Sequence, residues 1–221
     1  MERIIQLHQD FYGQLNSNIE TRHALKQEGI TVLEGFANNI ELVRDYYQNF
    51  YAMKAQRIVL CGINPGKNGA GKTGIPFIDF KGASLLLSRE LKKDQEISAQ
   101  FVHSIIQAVG SKKFHDQVYV TNLSWFGFIK GKKNLNYYDL PPALIPSFTD
   151  SFIMEMEIVQ PKVIIPLSKK VEQSLHEMAR SGKLNYAIGE RLPHPYWCSI
   201  GERAVQYKDV YIERINDWGG E

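Results

Sequence analysis

Arg57–Phe77 reads RIVLCGINPGKNGAGKTGIPF, and its two parts decide the fold. Arg57–Cys61 (RIVLC) is a short apolar run, the composition of a strand covered on both faces. Gly62–Phe77 (GINPGKNGAGKTGIPF) concentrates glycine and proline, which marks a loop with an unusual backbone path. A buried strand that runs straight into such a loop suits an open parallel sheet, where ligands bind beyond the carboxyl ends of the strands.

Further strands are expected on either side of this stretch. Gln117–Thr121 (QVYVT) and Lys162–Leu167 (KVIIPL) repeat the buried pattern, and Asn185–Ile188 (NYAI) is a weaker fourth candidate. Helical periodicity falls between them, at Ala83–Leu91, Ser98–Val109, Asp150–Val159 and Lys169–Arg180, with a last helix near Glu202–Trp218. The first 50 residues also read as helices: Ile4, Ile5, Leu7, Phe11 and Leu15 share a face, and a second helix runs from Asn38 to Tyr51. Strands alternating with helices imply an α/β fold, a parallel sheet with helices on both faces. No repeat or linker divides the chain. Residues 1–221 read as one domain, with N-terminal helices over 1–55 and an α/β core over 56–221.

Bulk properties narrow the function classes. With 221 residues, 43% hydrophobic and 23% charged, the composition is that of an ordinary globular domain. There is no apolar run long enough to span a membrane and no signal-peptide pattern, so a cytoplasmic protein is expected. The two cysteines, Cys61 and Cys198, are too few for a four-thiolate cluster and show no zinc spacing, so no metal or other cofactor is expected. A net charge of +2 does not by itself indicate a nucleic-acid partner. Lys130, Lys132 and Lys133, Lys112 with Lys113, and Lys169 with Lys170 are either solvated faces or a phosphate track.

One motif points elsewhere. Gly66–Thr73 (GKNGAGKT) fits the phosphate-loop pattern G-x-x-x-x-G-K-[ST], which would make Lys72 and Thr73 the nucleotide-binding residues of a triphosphatase. Three features oppose it. Asn64-Pro65 separates the strand from the turn, and Gly74 and Pro76 follow Thr73 where a helix should continue. The later strong strands end in Thr121-Asn122 and Leu167-Ser168, not in an acidic magnesium ligand.

The same stretch resembles the first motif of the uracil-DNA glycosylase superfamily, in its single-strand-selective monofunctional (SMUG-like) branch. The matching residues are Gly62-Ile63-Asn64-Pro65-Gly66 and Thr73-Gly74-Ile75-Pro76-Phe77, with the family's Asn-to-Phe spacing. Thr121-Asn122-Leu123 stands where the family has an asparagine after its second strand, and His194-Pro195 matches the opening of its second motif. The motifs span Gly62 to about Trp197. The resemblance implies a three-layer α/β/α sandwich around a four-stranded parallel sheet.

It also implies roles. Asn64 would position the water that attacks the sugar carbon. An amide orients water but hardly deprotonates it, which suffices if the glycosidic bond breaks first. Phe77 would stack on an extruded base, and Gly62, Ile63 and Gly66 would line its pocket. Asn122 would read the uracil edge by accepting from the imide N–H and donating to the adjacent carbonyl; cytosine presents the opposite pattern. His194 would stabilise the anionic leaving base. Each residue also has a structural alternative: Asn64 as a turn former, Asn122 as a strand cap, Phe77 as core. Trp125, Phe126 and Phe128 could equally be pocket wall or core.

After His194-Pro195 the chain departs from the family's usual His-Pro-Ser-Pro-Arg and reads Tyr196-Trp197-Cys198-Ser199. That loop normally fills the gap left by the flipped nucleotide, so Pro195 with Tyr196 or Trp197 would form the wedge, and Lys67 would contact DNA. The expected protein is a monomeric, monofunctional glycosylase that hydrolyses uracil or a related deaminated or oxidised base from single- or double-stranded DNA. The competing readings are the triphosphatase and a non-catalytic nucleic-acid binder.

Overall fold

The computed structural model describes residues 2–219; Met1, Gly220 and Glu221 lie outside the described residues. Among the described residues six strands occur: β1 (Ile30–Val32), β2 (Ile58–Gly62), β3 (Val118–Asn122), β4 (Phe128–Lys130), β5 (Lys133–Leu135) and β6 (Val163–Pro166). They form two sheets, ordered β3-β2-β6 and β1-β4-β5.

The first sheet is parallel and central. Strand β2 pairs with β3 from Ile58↔Val118 to Gly62↔Asn122, and with β6 from Ile58↔Val163 to Cys61↔Pro166. Every residue of the three strands is buried, as expected of a sheet covered by helices on both faces. The α/β class therefore holds, but the sheet has three paired strands rather than four. At Asn185–Ile188 only one bridge forms, Ile164↔Ile188. The Ile164 N–H donates to the Ala187 carbonyl (2.8 Å) and the Gly189 N–H to the Ile164 carbonyl (2.9 Å). Asn185 and Ala187 are exposed while Tyr186 and Ile188 pack partly buried against the core, so the segment is covered on one face only, unlike the fully buried central strands.

Helices follow their capping chemistry more closely than their apolar periodicity. Phe80–Leu87 starts three residues before its expected position because Asp79 caps it, accepting from the Gly82 N–H (2.7 Å). Ile97–Val109 starts one residue early, capped by Glu96, which accepts from the Ala99 N–H at 2.9 Å. Ile145–Val159 begins five residues early, with Pro146 in its first turn. Lys169–Arg180 lies where expected: Ser168 caps it, and Val171, Leu175 and Met178 form its buried stripe.

The N-terminal segment is not wholly helical. After Glu2–Ser17 and Ile19–Gln27 the chain forms β1, which pairs antiparallel with β4 (Ile30↔Lys130), and β4 pairs with β5 across Gly131, at φ 61°. Trp125, Phe126 and Phe128 belong to the core. Trp125 stacks on His8 with ring centroids 3.8 Å apart, and Phe126 stacks on Phe11 and Tyr12. Buried Glu155 accepts from the Tyr119 hydroxyl (2.8 Å) and lies 3.3 Å from His8 Nε2, which joins the first helix, Ile145–Val159 and β3.

Candidate active site

A cleft of ≈510 Å³ opens at the carboxyl ends of β2 and β3. Its lining brings together Ile63, Asn64, Gly66, Phe77, Asn122, His194 and Tyr196, drawn from all three sequence segments.

The paired strand ends set its floor. A Cβ on Gly62 would lie 2.3 Å from Asn122 Oδ1 and 2.5 Å from Phe77 Cζ, so only glycine lets the amide and the ring meet there. Phe77 is buried and held at φ 57°, a left-handed conformation that bulky side chains rarely adopt. Backbone strain of this kind persists where the surroundings fix it, and it aims the ring at the cleft. Gly74 (φ 80°) makes the preceding turn; a Cβ there would come within 2.4 Å of the Phe36 Cα.

That path dismantles the phosphate-loop pattern. Ala70–Thr73 is a four-residue helix that Lys72 and Thr73 close rather than open. Lys72 is ion-paired with Asp94 at 2.7 Å. Thr73 Oγ1 is buried, donating to the Ile78 carbonyl (2.6 Å) and accepting from the Ile75 N–H (3.1 Å). Neither residue is free for a nucleotide, for the reason its sequence context suggests: Gly74 and Pro76 stop the helix.

The two asparagines differ in their bonding. Asn64 is held on both sides of its amide. Its Oδ1 accepts from the Tyr137 N–H (3.0 Å), and its Nδ2 donates to the carbonyls of Leu135 (3.2 Å) and Pro65 (3.3 Å). Asn122 is 2% exposed, and its side chain makes no hydrogen bond among the described residues. The residue lines the cleft, so its amide is open to that space rather than to the core.

His194 caps the short helix Pro195–Cys198, its Nδ1 accepting from the Tyr196 N–H at 3.1 Å. An accepting Nδ1 places the ring proton on Nε2, which makes that nitrogen a donor. Burial holds the imidazole below the ordinary histidine value, with the Glu96 carboxylate pulling the other way, so the ring is neutral near pH 7. Its centroid lies 6.0 Å from that of Phe77.

The expected wedge residues separate. Pro195 is buried in the first turn of the short helix. Tyr196 is 52% exposed and lines the cleft. Trp197 is outside the lining; Arg203 stacks over its ring at 4.2 Å and Tyr207 meets it edge-on at 5.0 Å. Lys67 also lies off the lining. Its N–H donates to Asn134 Oδ1 (3.0 Å) and its ammonium to the Lys132 carbonyl, which docks the loop on the β4–β5 hairpin.

Part of the lining is not foreseen from the sequence: Asn134 and Asn136 on and after β5, and Gln95–Ser98 at the start of a helix. The Lys133–Asn136 stretch (KNLN) has no motif context, and its two amides reach the cleft only through the pairing of β1, β4 and β5. Glu96 carries no local signal either, because glutamate is not among the usual helix-capping residues. Both cysteines are free and buried. Among the described residues no group of three His, Cys, Asp or Glu side chains is placed to hold a metal, and no helix is long and apolar enough to cross a membrane.

Comparison with known proteins shows the family. The family model described as "Uracil DNA glycosylase superfamily" matches residues 49–216. Among solved structures, the crystal structure of wild-type Pedobacter heparinus SMUG2 matches with a TM-score of 0.72 and 27% sequence identity, over 87% of this chain and 90% of that one. A search of curated proteins finds no match. With a family match over most of its length and a fold similar to that of SMUG2, the chain belongs to the uracil DNA glycosylase superfamily as a SMUG-like member.

Proposed function

We propose that the protein hydrolyses uracil, or a related deaminated or oxidised base, from DNA and leaves an abasic site. The observation that carries this is the Asn122 amide, which makes no hydrogen bond among the described residues and lines the cleft beside the Phe77 ring. A flipped base stacks on Phe77 while its imide N–H and neighbouring carbonyl satisfy the Asn122 amide. Cytosine leaves those groups unpaired when the amide keeps its oxygen toward the imide position, and a site built for such bonds rejects the wrong partner strongly.

Bond cleavage sends the electron pair to the base. His194 Nε2–H faces that growing charge, and a donor placed so contributes about 2.7–4 kcal/mol. Asn64, held rigid by the hairpin, orients a water toward the sugar carbon. Tyr196 is the residue free to fill the gap in the base stack; Trp197, clasped by Arg203 and Tyr207, supports the loop. Lys132 and Lys133 on the hairpin have no ion-pair partner among the described residues and suit flanking phosphates.

The test is an alkali-cleavage assay on labelled single- and double-stranded oligonucleotides with one uracil, without magnesium. Cleavage at the uracil that needs alkali, and falls about 10²–10³-fold in His194→Ala, is the expected result. Nicking without alkali would show a lyase instead of a monofunctional enzyme. Binding without any abasic product would leave only a nucleic-acid binder.

A further inference from the structure

The polar lining of the cleft is almost entirely neutral: asparagines, Gln95, Ser98 and the uncharged His194. Glu96 is the one carboxylate in it among the described residues. A carboxylate is an odd occupant of a cleft meant to receive a polyanion, because it repels phosphates.

It is also held firmly. Its Oε1 accepts from the Ser98 hydroxyl (2.7 Å) and its Oε2 from the Ala99 N–H (2.9 Å). Its own N–H donates to Asp79 Oδ2 (2.7 Å). Across the loop, Gly69 leaves room for it: a Cβ there would stand 3.0 Å from Glu96 Cβ and 3.1 Å from its Cγ. The glycine loop that carries Asn64 is thus brought against this acid.

The chemistry gives such a charge a use. When the C1′–N bond breaks, its electron pair leaves with the base, and C1′ with the ring oxygen becomes cationic. The water oxygen then bonds to C1′ and its proton passes to bulk water in the open cleft. Asn64 carries no charge, so it cannot offset that cation. We propose that Glu96 supplies the fixed negative charge that stabilises the sugar cation, a role that rests on the base-excision reading above. A carboxylate of this kind disfavours the bound phosphate ground state and favours the cationic transition state, so it accelerates the chemical step at the expense of binding.

That trade-off is the test. Glu96→Gln keeps an acceptor for the helix cap and removes the charge. Release of uracil under single-turnover conditions should slow by about tenfold or more. Affinity for an oligonucleotide carrying a cleavage-resistant 2′-fluorinated deoxyuridine should stay the same or improve. Glu96→Asp, which keeps both charge and cap, should retain more of the rate than Gln at an unchanged unfolding midpoint. A Gln variant as fast as wild type overturns the inference, and so does one that loses rate only together with DNA affinity or thermal stability. If the wild type releases no base at all, the base-excision reading falls first and takes this role with it.

Discussion

Two strand ends one hydrogen-bond register apart do opposite things with the same side chain. Just beyond β2, half-buried Asn64 spends its amide on the backbone of Pro65, Leu135 and Tyr137; at the end of β3, buried Asn122 makes no side-chain hydrogen bond among the described residues. The first is fixed in direction by its backbone partners, which suits a group that must orient a water. The second faces the cleft. The difference lies in what surrounds each amide: one is enclosed by backbone partners, and the other opens on the cleft.

The sharpest way to break this pairing is to fill the space between them. Gly62→Ala drives a Cβ into Asn122 Oδ1 and Phe77 Cζ. Base release should fall by about 10²-fold, since misplacement of about 1 Å is enough for that, and stability by about 1–3 kcal/mol. Single-turnover rates and denaturant melts measure the two losses. A variant with wild-type activity would mean that the amide and the ring are not used together.

The comparison is sharpened further by removing each amide alone. Asn64→Ala strands the Tyr137 N–H and the Leu135 carbonyl and should lower stability by about 1–3 kcal/mol. Asn122→Ala removes a group that is unpaired already, so its stability should change by less than about 1 kcal/mol. Urea unfolding of the two variants side by side decides it, and equal losses would show that Asn122 has a partner in solution.

Smaller effects are expected at the rim. Tyr196→Ala should lower uracil release from duplex more than from single strands, because only the duplex must be opened. Trp197→Ala should leave that ratio alone and cost stability of about 0.5–1 kcal/mol through the lost Arg203 contact. A changed ratio in Trp197→Ala would make it the wedge instead. Smallest of all is a titration. Since burial lowers the His194 value, its ring should stay neutral down through the ordinary midpoint of about pH 6.5 and become charged only below it. Imidazole NMR would follow this, with the proton on Nε2; a midpoint at or above the ordinary value would contradict the neutral donor.

The sequence reveals those parts of the molecule that local chemistry dictates. The runs at β2, β3 and β6 are legible because both faces are buried, and the glycines and prolines after β2 announce a loop that cannot be a helix. Asn64, Phe77, Asn122 and His194 stand out by motif, and the cleft gathers all four. What stays hidden depends on distant pairing. Ile30–Val32 becomes a strand only by meeting Phe128–Lys130, nearly a hundred residues away, and Asn134 enters the site only through that sheet. Composition also fails to separate Tyr196 from Trp197, whose roles diverge because Arg203 and Tyr207 fold back on one of them. The fourth strand failed for the opposite reason, as its local pattern promised more pairing than its exposed Asn185 and Ala187 support.

One measurement bears on the central claim most directly: single-turnover release of uracil from a labelled oligonucleotide by the wild type and by Asn122→Ala. The wild type should release uracil and leave cytosine untouched, and the variant should be slower by about 10²-fold or more while remaining folded. Equal rates in the two proteins would mean that the unpaired amide does not read the base, and the account of the cleft would have to be abandoned.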